Sequence, residues 1–141
     1  MMKRFLVLPS LLLAVVPAAA GARPAHYAEG QVWQYATRAQ DAGSLVKIQK
    51  IEMRDGQPVY HVSVIGAHFA NVREPGVLEH LPVSEAALDA SVTHRVHATG
   101  AFANMAIDGD IAEWRAAHGG VLTAPLAQVV SDVDAMLSRQ P

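Results

Sequence analysis

Three hydrophobic rhythms divide the chain. Residues 5–16 are an almost unbroken apolar run. Residues 31–65 alternate with a period of two, and from residue 85 onward the apolar positions recur every three or four residues. These are the marks of an apolar leader, of β-strands and of amphipathic helices, in that order.

In the strand region, Trp33, Tyr35 and Thr37 fall on one side of an extended chain and Val32, Gln34 and Ala36 on the other. A polar turn follows over 40–43. The next stretch, 44–53, changes phase: Val46 and Ile48 share one face, whereas Ile51 and Met53 share the opposite one. A one-residue shift reverses the buried face of a strand, so the spacing predicts a bulge near Gln49 and Lys50. Asp55-Gly56 supplies the positive-φ pair of a tight hairpin. Residues 58–65 then alternate cleanly, with Tyr60, Val62 and Val64 inward and Val59, His61 and Ser63 outward. Residues 67–75 read as a loop, and 76–81 as a short edge strand ended by Pro82.

In the helical region, Ser84 is an N-cap, and Val83 can staple onto Leu88. The helix is expected to run from Glu85 to about Val96. Asp110 and Glu113 form a capping-box pattern opening a short helix that Gly119-Gly120 ends. Thr123 is expected to cap a last helix with Pro125 in its first turn. Its apolar stripe is Leu126, Val129, Val130, Val133 and Leu137. The expected fold is therefore α+β: a curled three-stranded antiparallel meander, with room for a fourth strand, followed by three helices.

The apolar leader changes how the rest is read. Lys3 and Arg4 precede it, Pro17 stops it, and Ala18-Ala19-Ala20-Gly21-Ala22 offers Ala-x-Ala sites after Ala20 and after Ala22. That order marks a cleavable export signal over residues 1–22, and the run is too short and too broken by proline to span a bilayer. The working protein is then one small domain, 23–141, in the periplasm or secreted. The chain has no cysteine, so neither a lipid anchor nor a disulfide is available to it. Losing Lys3 and Arg4 leaves nine basic residues against thirteen acidic ones, a formal net charge of −4. The basic residues are scattered, which argues against nucleic-acid binding.

Two stretches carry a resemblance. Gly30-Gln31-Val32-Trp33-Gln34-Tyr35-Ala36-Thr37-Arg38 is the first; the second is His80-Leu81-Pro82-Val83-Ser84 with Leu88-Asp89-Ala90-Ser91-Val92. Together they resemble an uncharacterised group of small bacterial proteins in which a curled β-meander precedes a helix. The resemblance covers residues 30–92 and implies a fold but no activity.

The candidate chemistry is sparse. None of the six serines after residue 22 lies in a Gly-x-Ser-x-Gly or Ser-x-x-Lys motif, and there is no phosphate or dinucleotide loop. No cofactor is implied. His94 and His97 would share a face on a continuing helix, the one hint of a metal site. Asp108-Gly109-Asp110 fails the calcium-loop spacing. Trp33, Tyr35 and Arg38 are residue types that dominate binding hot spots. The leading expectation is an exported binding or interaction module with a protein partner, and Trp33, Tyr35 and Arg38 as candidate contacts. The alternatives are a small envelope hydrolase, with His61, His80 or His94 as general base, and a metal-binding protein using His94 and His97.

Overall fold

The computed structural model describes residues 26–97 and 100–140; the expected signal segment lies outside them. Five strands, β1 (Val32–Tyr35), β2 (Leu45–Arg54), β3 (Gln57–Ala67), β4 (Gly76–Ser84) and β5 (Val92–Val96), form one antiparallel sheet in the order β4-β3-β2-β1-β5. Three helices accompany it: α1 (Glu85–Asp89), α2 (Asp108–Ala116) and α3 (Leu126–Ser138). The class is α+β, with two strands more than the expected meander.

The fifth strand corrects the helix expected to reach Val96. Helix α1 stops at Asp89 because Ser91 has other work: its hydroxyl donates to Ala87 O at 2.6 Å and accepts from Leu126 N at 2.8 Å. The β-branched Val92, Thr93 and Val96 then suit an extended chain, and β5 supplies the partner that β1 otherwise lacks. The same Ser91 contact corrects the cap expected from Thr123. Pro125 occupies the N-cap position of α3 without a side-chain bond, and Ser91 satisfies the first helical N–H from across the fold. Helix α2 begins at Asp108, so Asp110 lies inside its first turn and caps nothing. Ser84 does cap α1, accepting from Ala87 N at 3.1 Å.

The sheet has two differently dressed faces. On the first, Val46, Ile48, Tyr60, Val62, Val64, Leu81 and Val83 pack beneath Ala87 and Leu88 of α1 and Leu126 and Val129 of α3. On the second lie Val59, His61 and Ser63, which were expected to face solvent. All three are buried; over His61 lies α2, which buries Ile111 and sets Trp114 edge-on against the His61 ring.

Local irregularities set which side chains meet. At the tip of the β2–β3 hairpin, Asp55 and Gly56 have φ of 52° and 77°, the pair a two-residue hairpin turn requires. The β2–β3 register slips between Ile48 and Lys50, so Ile48 and Ile51 both serve the first face. The β3–β4 register slips between Val62 and Val64. Pro82 does not end β4 but sits within it, opposite His61. Its carbonyl accepts from Leu122 N on the side away from β3, so its missing N–H costs no bond between β3 and β4.

Candidate functional site

The two bulges bracket the same short stretch of β3. Without the slip in β2, Glu52 would share the apolar face with Ile48; with it, Glu52 joins His61 on the second face. On β4, Pro82 lies opposite His61, so alternation alone puts His80 on the same face, beside His61. Three side chains from three adjacent strands thus form a line.

The line runs from carboxylate to imidazole to imidazole. Glu52 Oε1 lies 2.6 Å from His61 Nε2, and His61 Nδ1 lies 2.8 Å from His80 Nε2. Arg115 of α2 donates its Nε–H to both Glu52 oxygens, at 3.0 and 3.2 Å. Trp114 covers His61 with ring centroids 4.9 Å apart, and the Arg54 guanidinium stacks over the Trp114 ring at 4.8 Å. Arg54 also donates to Gly119 O. Glycine is required there, because a side chain at 119 would collide with the Trp114 ring.

Electrostatics orders the protons. The Arg115 guanidinium, and then the His61 N–H, hold the Glu52 carboxyl below the usual carboxylate range. An ionised Glu52 can only accept, so His61 donates through Nε2 and its Nδ1 carries a lone pair. His80 must then donate through Nε2, leaving its own Nδ1 bare at the half-exposed end. Burial pushes His61 below the ordinary histidine value against the pull of Glu52, and burial followed by the neighbouring His61 does the same to His80. Both rings are neutral near pH 7.

This arrangement can hold and pass a proton, but it is closed in other respects. Both nitrogens of His61 are committed, and the ring is fully buried. The nearby hydroxyl, Ser63, is also fully buried; it donates to Glu79 O at 2.6 Å and accepts from Gln49 Nε2 at 3.1 Å. The ligand atoms face one another rather than a common point, and among the described residues no group of three or more histidine or acidic side chains could hold a metal.

The other singled-out residues lie elsewhere. Tyr35 is buried in the first-face core, its hydroxyl 2.7 Å from Ser44 Oγ. Trp33 packs half-buried beside Tyr27, edge to face, with its Nε1–H on Gln31. Arg38 joins distant parts of the fold: it pairs with the buried Asp41 at 2.6 Å and with Asp134 of α3 at 2.9 Å, and donates to His68 O at 3.1 Å. Tyr35 and Arg38 thus hold partners within the fold, and Trp33 stays half-buried. His94 is exposed on β5, separated from β4 by three strands, so it is remote from His61 and His80. The shared helical face inferred for His94 and His97 does not exist, since His94 lies in a strand and side chains three apart on extended backbone point to opposite sides.

Among the described residues a small hollow of about 210 Å³ opens beside the line, between Glu52, Met53, Arg54, Trp114, Arg115 and His118, and two larger ones open elsewhere. One, about 600 Å³, lies at the hairpin end between Arg54, Asp55, Glu85, Asp89 and His118. The other, about 370 Å³, is an apolar groove between α3 and the end of β4, lined by Leu81, Leu122, Val129, Val133 and Met136 with Asp132 at its rim. Neither of these two is lined by His61 or His80. No protein-family model matches the chain, and comparison with curated proteins and with solved structures gave no match either.

Proposed function

We propose that the protein is an exported binding module that engages a protein partner through the groove between α3 and β4. The observation that carries this reading is the exposed apolar side chain in that groove: Met136, which lines it, is 63% exposed, although Leu126, Val129 and Val130 of the same helix are buried. Apolar side chains left in solvent along a concave surface mark a contact face. The occupant is a partner segment with apolar anchors flanked by a basic residue. The apolar walls and the rim carboxylate of Asp132 suit that chemistry, as does the net charge of −4 left once Lys3 and Arg4 are gone. Export to the periplasm or the medium follows from the leader. Of the three residues first singled out, Trp33 retains an accessible edge for a second contact, whereas Tyr35 and Arg38 already have partners within the fold.

A second reading has one specific observation behind it. The Glu52–His61–His80 line would make His80 Nδ1 a general base for a hydrolase. A hydroxyl nucleophile beside it is what that reading lacks.

One paired experiment separates the two. Protein 23–141, immobilised, is exposed to an envelope extract beside its Met136→Glu and His80→Gln variants, and the same samples are assayed with ester, peptide and phosphate substrates. The binding reading expects a stoichiometric partner lost with Met136→Glu and kept with His80→Gln, and no turnover. Turnover abolished by His80→Gln would overturn it, as would a protein whose groove is filled by a second copy of itself in sedimentation.

A further inference from the structure

The chain of hydrogen bonds beneath α2 has room for one more proton but not for two. As it stands, ionised Glu52 accepts from His61 Nε2, and His61 Nδ1 accepts from His80 Nε2. A first added proton enters at His80 Nδ1, the bare outer lone pair, and no bond is lost. A second must enter at His61 Nδ1, which already accepts. Two N–H groups would then confront each other across 2.8 Å.

The surroundings offer little relief. The charged groups facing the pair are Lys50 and Glu52 from β2 and Asp110 and Arg115 from α2, with Arg54 stacked on Trp114. With both imidazoles charged, Lys50 and Arg115 make four cations against two carboxylates. The ring that must be rehydrated is the one that Trp114 covers. The polar contacts that help seat α2 on this face, beside the buried Ile111, involve the same groups: Arg115 to Glu52, and Trp114 against His61.

We propose that Glu52, His61 and His80 form an acid-released latch, which holds α2 against the sheet while both rings are neutral and frees it when both are charged. Burial, which favours the neutral rings, sets the direction: both fall below the ordinary histidine value on folding. The open form binds one to two more protons than the closed one. Its population therefore rises as pH falls below about 6.5. Opening uncovers His61 on the second face of β3. The latch does not depend on the groove at α3 being a contact face.

Amide hydrogen exchange of protein 23–141 between pH 7.5 and 5 tests it. After correction for intrinsic rates, protection of α2 should fall about tenfold to a hundredfold per pH unit below ~6, while α3 and β3 stay protected. In His80→Gln, which keeps a donor to His61 but cannot titrate, that slope should drop by about tenfold per pH unit. Protection of α2 that is flat with pH would overturn the latch. So would α2 and α3 losing protection together, or His80→Gln matching wild type. A measurement needing no variant is histidine ¹⁵N NMR at pH 7.5: both rings should be Nε2–H tautomers, and a Nδ1–H tautomer at His61 would sink the proposal.

Discussion

The two faces of one sheet are buried by different means. The first face closes by area: aliphatic side chains from β2, β3 and β4 meet α1 and α3, and burial raises the tyrosine hydroxyls among them, so they stay protonated from acid to neutral pH. The second closes by pairing: His61 and Ser63 are buried, with Glu52 and His80 half-buried beside them, and each has a partner at 2.6–3.1 Å. Alternate residues of β3 thus obey opposite rules. Burial by area is non-directional and insensitive to pH. Burial by pairing is directional, and it is conditional on protonation.

The largest expected effect lies on the apolar face. Leu88→Ala should cost about 3 kcal/mol in urea unfolding, since Leu88 is fully buried and its removal leaves a cavity. That loss should be the same at pH 7.5 and pH 5; a strong pH dependence would break the contrast.

His61→Ala should cost about 2 kcal/mol at pH 7.5, by stranding the Glu52 and His80 groups that meet it. Its sign with pH is the sharper test. The neutral rings contribute fully above about 6.5, and that contribution is lost as pH falls toward the lowered folded values. The difference between wild type and variant should therefore narrow at pH 5. A difference that widens in acid would show His61 to be buried as a cation.

Ser63→Ala should cost roughly 1.5 kcal/mol, because Glu79 O and the Gln49 amide each lose their partner in a partly buried place. Ser63→Cys, similar in size but a weak donor, should recover less than half. At the small end, Met136→Glu should shift stability by less than about 0.5 kcal/mol. If it unfolds the protein, Met136 belongs to the core and the groove is not a free surface.

The apolar face was legible because its signals are local. Asp55-Gly56 announced the hairpin, and the phase change between Ile48 and Ile51 announced the bulge. The paired face was legible only in parts. His61 and His80 were recognisable as bases and Glu52 as an acid without a structural duty. Carrying the bulge two residues further would have turned Glu52 to the side of His61, so that half of the cluster was present in the pattern. Trp114 and Arg115 were not readable, since nothing local says which face a helix fifty residues away will cross. That crossing also covers His61, a position alternation had assigned to water. The missing fifth strand has a similar cause: Leu88 and Val92 are spaced as on a helix, and only the tertiary bond from Ser91 to Leu126 decides against continuing it.

Pro82 has a consequence for how the molecule meets its neighbours in a crowded compartment. A sheet with an unpaired outer strand is a template on which another chain can add, and β4 is such a strand. Over its last three residues the template is already spent: proline offers no donor, and the carbonyl of Pro82 and the N–H of Ser84 are taken by Leu122. The exposed length left for a foreign strand is short and carries Glu79, whose charge resists stacking of like copies. A domain without disulfides thus carries its own guard against fibril growth along that edge.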